Sequence, residues 1–244
     1  MNAFSYKEYC DIISRLNQQH EIIDFSEVTE KSNHFAIIRH DVEFSVERAF
    51  KLAELEKSLG IKTSYLFQTR NNAYNLFSTK NINLIREINK MDHKIGIHVH
   101  LGMLSCISKI REYISNDIEI MESLLEIPID RYSFHRPSKK ILREKLNIDG
   151  KINTYDSLFF DLKESEQGFD NVRVKYYSDS RHGWEYGYPD LDGLKKYSKI
   201  QLLTHPYSWT SVGYKNSDNF TSLKREKVQI LNETFKEECN HFPL

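Results

Sequence analysis

Apolar residues along this chain follow two alternating patterns, short continuous runs and longer stretches with helical spacing. Runs rich in β-branched residues predict buried strands. Stretches in which apolar residues recur every three or four positions predict amphipathic helices. The predicted strands are 35–40, 61–67, 95–98, 132–134, 172–177 and 200–204, and the predicted helices are 46–59, 81–91, 103–126 and 222–239.

The alternation of strand and helix predicts a parallel sheet built from strand–helix–strand units, either a barrel or a doubly wound sheet. Glycine and proline are few, with 9 and 5 residues, and they are scattered. No low-complexity linker or internal repeat interrupts the 244 residues. We therefore expect a single α/β domain over 1–244.

Charge, cysteine content and hydropathy argue against a nucleic-acid-binding, a disulfide-rich or a membrane-spanning protein. The 34 basic and 35 acidic residues give a net charge of −1, which is not the basic footprint of a nucleic-acid-binding protein. Cys10, Cys106 and Cys239 form no CxxC pair, and this scattered set predicts free thiols in a reducing compartment. No apolar stretch has the length of a signal peptide or a membrane span. We expect a cytoplasmic protein with no transmembrane segment and no nucleic-acid partner.

Two acids, Asp41 and Glu43, follow the first predicted strand. Because side chains alternate along a strand, residues two apart point to the same side. Such a pair suits holding a divalent cation and accepting a proton from the water bound to it. The alternative is that Arg39 and His40 neutralise the acids in a polar loop.

Histidines stand at the ends of later strands. His98 and His100 share the same two-residue spacing, and two imidazoles with a carboxylate are a common three-ligand metal set that leaves room for water. A lone His-x-His pair is more often incidental, but the nearby acids favour a metal site. His205 has the near-neutral pKa that suits a general acid. Arg136, after His135, is either a surface cation or a residue that orients an acid or binds substrate.

Reactive groups of a barrel collect at the C-terminal ends of its strands, and five segments of this chain occupy such ends in a characteristic order. They are Arg39-His40-Asp41-Val42-Glu43, Asp92-His93-Lys94-Ile95-Gly96-Ile97-His98, Phe134-His135-Arg136-Pro137, Asp179-Ser180-Arg181-His182-Gly183-Trp184 and Leu203-Thr204-His205.

This order resembles the polysaccharide deacetylase family, the NodB homology domain, over about 35–209. The first segment is closest to an Arg-His-Asp-Val-Asp variant associated with bacterial surface-polysaccharide gene sets. The resemblance implies a distorted (β/α) barrel of about seven strands, covered by the C-terminal helix at about 222–239. It also implies metal-dependent removal of an N- or O-acetyl group from a sugar.

The resemblance also implies catalytic roles. Asp41 is the base that accepts a proton from water, and Arg136 keeps Asp41 ionised and oriented. Asp179 orients Arg136, and His205 is the acid that protonates the leaving group. The roles of Asp41 and Glu43 can be exchanged, since the sequence does not separate ligand from base.

The implied metal ligands are Glu43, His98 and a second histidine. The family usually has that histidine four residues after the first, where this chain has Gly102. His100 is the nearest substitute, and another histidine such as His182 is the alternative. Ligation rich in nitrogen favours Zn²⁺.

The function implied is a metal-dependent hydrolase that removes an N-acetyl or related acyl group from a sugar of a bacterial surface polysaccharide or its precursor. The expected carbohydrate partner is a nucleotide sugar or a lipid-linked glycan. The alternatives are a glycan-binding protein without activity on the same barrel, and another metal-dependent amidohydrolase or phosphoesterase. The expected substrate contacts are His135, His182, Trp184, Tyr207 and Trp209.

Overall fold

The structure is a computed structural model that describes residues 3–102, 106–144, 146–161, 173–239 and 241. Within these residues strands and helices alternate. The strands are β1 (Phe35–Val42), β2 (Ser64–Phe67), β3 (Lys94–Val99), β4 (Arg131–Phe134), β5 (Ile152–Asn153), β6 (Lys175–Ser178) and β7 (Lys199–Thr204). The helices are α1 (Tyr6–Gln19), α2 (Val46–Ser58), α3 (Thr79–Lys90), α4 (Ile107–Leu125), α5 (Lys139–Arg143), α6 (Leu191–Lys196) and α7 (Asn216–Glu238).

The seven strands form one sheet in the order β5-β4-β3-β2-β1-β7-β6, and every neighbouring pair is parallel. The sheet curls into an open half-barrel with helices outside it, which confirms the expected (β/α) barrel of about seven strands. In a parallel sheet the C-terminal ends of the strands meet at one edge, where α/β proteins bind their ligands.

Strand β1 lies at the centre of this architecture, and all eight of its residues are buried. Ala36 and Ile38 pack into the cluster that includes α1 and α2, whereas Phe35 and Ile37 pack with Phe159 on the opposite face. A strand covered on both faces requires a continuous apolar run rather than an alternating one, and the sequence has such a run at 35–38.

Most elements agree with the sequence expectation. All six predicted strands have a counterpart, although residue 172 of the fifth and residues 103–105 of the third predicted helix lie outside the described residues. The short strand β5 and the helices α1, α5 and α6 were not predicted. Strand β5 has only two residues, and so it leaves no hydrophobic period to detect.

Helix α7 begins six residues before the predicted start, at Asn216. Arg48 of α2 ties it to the barrel, since its guanidinium donates hydrogen bonds to Asn219 and Glu226. Asn219 and Leu223 are the buried residues of α7, so the helix packs on the barrel through its first turns. Among the described helices, none is both long enough and apolar enough to span a membrane.

Candidate metal centre and active site

Three potential metal ligands converge at the C-terminal edge of the sheet. Glu43 follows β1, His98 lies near the end of β3, and His135 follows β4. Glu43 Oε1 is 2.8 Å from His135 Nδ1 and 3.6 Å from His98 Nε2. The two imidazole nitrogens are 3.2 Å apart. We call Glu43, His98 and His135 the ligand triad.

The ligand triad fits a single divalent ion. A tetrahedral ion with bonds of about 2.1 Å holds its ligand atoms about 3.4 Å apart, and the three separations of 2.8, 3.2 and 3.6 Å lie around that value. Two imidazole nitrogens and one carboxylate oxygen are a catalytic zinc donor set that leaves the fourth position open. The geometry is therefore that of a three-ligand site rather than of a closed structural one.

A hydrogen-bond chain orients His98 within the triad. The Ser133 hydroxyl donates to Asp41 Oδ1 at 3.1 Å, so it accepts from His98 Nδ1–H at 2.7 Å. With Nδ1 protonated, His98 Nε2 presents its lone pair to the centre of the triad. Partners of this kind fix the ring orientation and tautomer of metal-binding histidines.

Glu43 is held as a carboxylate. Burial raises its pKa, but the hydrogen bond from His135, 2.8 Å away, and the nearby charge of His205 hold the pKa of Glu43 well below its usual range. An ionised carboxylate is the form that binds a cation. Asn71 also fixes the backbone at Glu43, because its side-chain amide donates a hydrogen bond to the Glu43 carbonyl at 2.6 Å.

Asp41 lies behind His98 and is 2% exposed. The fully buried guanidinium of Arg39 lies 3.5 Å from Asp41 Oδ2 and also donates to the hydroxyls of Thr154 and Tyr155. Burial raises the pKa of Asp41, but the charge of Arg39 holds this pKa below its ordinary value. The arginine beside Asp41 in the structure is thus Arg39.

Arg136, the arginine that the resemblance assigns to Asp41, lies elsewhere. Its side chain is exposed, and among the described residues no hydrogen bond or ion pair joins it to Asp41 or Asp179. Its φ of 48° lies in the left-handed region that residues other than glycine rarely adopt. Arg136 is the second residue after β4, and α5 begins three residues later.

Asp179 instead supports His205. The His205 ring Nδ1 lies 2.6 Å from Asp179 Oδ1, and its backbone N–H also donates to that carboxylate. The indole N–H of Trp209 donates to Asp179 Oδ2 at 2.8 Å. Burial lowers the pKa of His205, but the charge and hydrogen bond of Asp179, together with the charges of Glu43 and Asp41, outweigh burial and raise the pKa to about 9.

His205 is therefore an imidazolium near neutral pH, and its other ring nitrogen faces the ligand triad. His205 Nε2 lies 3.8 Å from Glu43 Oε1. A protonated imidazole, anchored through Nδ1 and aimed at a metal-ligand group through Nε2, has the arrangement of a general acid.

His100 lies beside the triad rather than within it. Strand β3 ends at Val99, and His100 is exposed. Its ring stacks on that of His135 with a centroid distance of 5.1 Å, and its Nδ1 accepts a hydrogen bond from the Gly102 N–H. His100 therefore supports the ring of His135.

Three residues predicted to contact substrate pack into the fold instead. The His182 ring stacks on Phe4 at 3.8 Å, and its Nε2 lies 2.7 Å from the Tyr214 carbonyl oxygen. Trp184 packs against Phe4 and Trp209 in the cluster under α1. Trp209 is completely buried, and so its ring has no face open to a ligand.

Sequence reasoning considered Arg39 only as a residue that neutralises the acids and His135 only as a substrate contact, and it missed Ser133, although the spacing carries a signal for all three. Arg39 lies two residues before Asp41, on the same face of β1. Ser133 and His135 share the same spacing at the end of β4. The alternation that paired Asp41 with Glu43 therefore extends to these residues as well.

No protein-family model matches the chain, and no curated protein matches it at a significant score. Solved structures to which it is similar include a family 4 carbohydrate esterase pseudoenzyme from Bacillus anthracis, with 15% identity, a TM-score of 0.43 and coverage of 80% of this chain. The chain spans only 62% of the length of that pseudoenzyme. Others are the family 4 carbohydrate esterase PdaA from Bacillus subtilis (11% identity, TM-score 0.44, 93% of this chain and 90% of that one) and the chitin deacetylase of the fungus Colletotrichum lindemuthianum (12% identity, TM-score 0.48, 84% and 86%). These structural neighbours are carbohydrate esterases and deacetylases of family 4, at low sequence identity.

Proposed function

We propose that the protein is a metal-dependent hydrolase that removes an N-acetyl or related acyl group from a sugar. The observation that carries this proposal is the placement of three groups at one edge of the sheet. They are the ligand triad, the ionised Asp41 behind it, and the protonated His205 facing it. A ligand set, a base and an acid are together the groups that hydrolysis of an amide requires.

Glu43, His98 and His135 would hold the divalent ion, for which the donor set favours Zn²⁺. Such an ion, when bound, polarises the acyl carbonyl and lowers the pKa of a coordinated water. Glu43 is a carboxylate in this structure, which is the form that binds such an ion.

Asp41 accepts the proton of the attacking water, and His205 Nε2–H donates a proton to the leaving nitrogen. Water adds to the acyl carbon, the C–N bond breaks, and the products are a carboxylate and a free amine on the sugar. Arg39 and Ser133 position Asp41 for this step through the contacts described above. Asp179 and Trp209 fix the imidazolium in its orientation.

The substrate is proposed to be a precursor of a bacterial surface polysaccharide, either a nucleotide sugar or a lipid-linked glycan, handled in the cytoplasm. Two features support this. The Arg39–Glu43 segment resembles the variant associated with surface-polysaccharide gene sets. Cys10, Cys106 and Cys239 are free thiols in the structure, as is usual in a reducing compartment.

One observation favours a second candidate, a glycan-binding protein that does not hydrolyse its ligand. The arginine of the third motif, Arg136, makes no described contact with Asp41. A barrel that had lost catalysis would bind N-acetylated sugars without releasing acetate.

The test is acetate release from N-acetylated oligosaccharides by zinc-loaded, untagged protein. Asp41→Asn should abolish release while the bound zinc is retained. Asp117→Asn is the matched control, because Asp117 is equally buried but contacts Thr69 and Arg70 outside the site. Release by Asp41→Asn at the wild-type rate would refute the assignment of the base. Binding without release by the wild type would favour the second candidate.

A further inference from the structure

Three aromatic side chains lie in mutual contact beside the ligand triad. Phe44 directly follows Glu43, Tyr207 lies two residues after His205, and Phe220 belongs to α7. The ring centroids of Phe44 and Tyr207 are 4.8 Å apart, and Phe220 lies 6.0 Å from Phe44 and 5.8 Å from Tyr207. We call Phe44, Tyr207 and Phe220 the aromatic rim.

The aromatic rim is open to solvent through two of its three rings, Phe44 and Phe220. Phe220 is 36% exposed and Phe44 is half-buried, whereas Tyr207 beneath them is 6% exposed. Phe44 meets both other rings almost perpendicularly, at 89° and 84°. Edge-to-face packing stabilises the cluster, and Phe220 keeps part of its surface in contact with solvent.

Arg48 holds the rim in place. This buried arginine donates to the Tyr207 carbonyl at 2.5 Å and to the Asn219 side-chain oxygen at 2.7 Å, and its guanidinium also binds Glu226. One side chain thus ties the Tyr207 segment to the first turns of α7, where Phe220 lies. Rings fixed in this way lose little conformational entropy when a ligand stacks on them.

The position of the rim indicates which part of a substrate meets it. The Tyr207 ring centroid lies 5.9 Å from that of His205, the residue that protonates the leaving amine in the proposed reaction. In that reaction the leaving amine is attached to the sugar, whereas the acyl group would lie over the ligand triad. The rim therefore lies on the sugar side of the scissile bond.

We propose that Phe44, Tyr207 and Phe220 form a sugar subsite, in which the apolar C–H face of a pyranose ring stacks on Phe44 and Phe220 while Tyr207 supports these two rings from beneath. The substrate class is an N-acetylated oligosaccharide, and α7 supplies a specificity residue from outside the region of family resemblance. Apolar and aromatic walls with a few polar groups are typical of small-ligand sites. This inference rests on the proposed function, because His205 defines the sugar side.

The test compares Phe220→Ala with Val228→Ala, a substitution at a 56%-exposed position further along α7. Acetate release is measured with the tetrasaccharide of N-acetylglucosamine and with ethyl acetate, which carries no ring. In Phe220→Ala the KM for the tetrasaccharide should rise about tenfold, as for the loss of one stacked aromatic. The ratio of kcat/KM for the tetrasaccharide to kcat/KM for ethyl acetate should fall by the same factor. Phe220→Trp should restore this ratio. Val228→Ala should match the wild type.

A binding measurement separates failure of the subsite from failure of the hydrolase. Saturation-transfer NMR reports tetrasaccharide binding to the Asp41→Asn protein with and without Phe220→Ala. Binding that depends on Phe220, with no acetate release by the wild type, would support the subsite and refute the hydrolase. Acetate release with equal KM in wild type and Phe220→Ala would refute the subsite alone. Absence of tetrasaccharide binding would also overturn the subsite.

Discussion

Replacing Arg39 with methionine would leave Asp41 as a buried carboxylate without its guanidinium. The two groups are 3.5 Å apart and both are almost fully buried. At an effective dielectric constant of about 20, their Coulomb attraction is about 5 kcal/mol. Removing one partner of a buried ion pair costs roughly 3–5 kcal/mol, because the remaining charge has lost its compensation.

A double-mutant cycle measures how much of this cost belongs to the pair. Arg39→Met and Asp41→Asn are each expected to lower the free energy of unfolding by about 3 kcal/mol or more. The double variant should lose less than the sum, by about 2–3 kcal/mol, because it leaves no isolated charge. Urea unfolding followed by tryptophan fluorescence gives the change in free energy of unfolding for each single variant and for the double variant.

An additive cycle would refute the reasoning. If the two losses sum to within about 0.5 kcal/mol of the double variant, Arg39 and Asp41 do not interact in the folded protein. Arg136→Met is the matched control, since Arg136 is exposed. It should change the free energy of unfolding by less than about 0.5 kcal/mol and should show no coupling to Asp41→Asn.

Two further predictions concern pH. Asp179→Asn removes the largest of the interactions that raise the pKa of His205 to about 9. Because His205 would then lose its proton at a lower pH, the alkaline limb of the pH–rate profile should move toward neutral pH. An unmoved limb would contradict this. Burial raises the pKa of Glu56, but His40, His93 and Tyr65 together lower it by more and hold it at about 2 instead of 4.5. The stabilisation that Glu56 supplies is therefore present above about pH 4.5 and is lost as the pH falls toward 2. Between pH 5 and pH 2 the free energy of unfolding should therefore fall by roughly 3 kcal/mol less in Glu56→Gln than in the wild type. An equal fall in both proteins would refute the lowered pKa of Glu56.

The fold could be predicted from the sequence because buried parallel strands leave continuous apolar runs. The runs at 35–40 and 200–204 became β1 and β7, and the intervening helical periods became helices outside the sheet. Strand order and pairing register have no comparable local signal. They depend on contacts between segments distant in sequence, so the neighbouring positions of β1 and β7 follow only from the three-dimensional structure.

The composition of the site shows the same limit. Because His98 and His100 are two residues apart, the sequence predicts both of them equally as metal ligands. In the structure β3 ends at Val99, and His100 turns toward solvent. Val99 pairs with Phe134 of β4, and the His135 N–H donates to the Val99 carbonyl at 2.8 Å. This register brings His135 next to His98, and nothing within either segment encodes it.

Arg39 and Arg136 differ for a related reason. In the sequence Arg39 precedes Asp41, and Arg136 follows His135. The family resemblance assigns Arg136 as the arginine that orients Asp41. Arg39 points into the half-barrel because it shares the face of Asp41, whereas the left-handed turn at Arg136 leaves that side chain exposed. The backbone conformation after β4 decides between them.

The central claim is that Glu43, His98 and His135 form a metal site at the edge of the sheet. The most direct measurement is elemental analysis of untagged protein after incubation with Zn²⁺ and removal of unbound metal, for wild type, His135→Ala and His100→Ala. We expect about one zinc ion per chain in the wild type and in His100→Ala, and a large loss in His135→Ala. Retention of zinc by His135→Ala, its loss in His100→Ala, or a wild type without zinc would contradict the account.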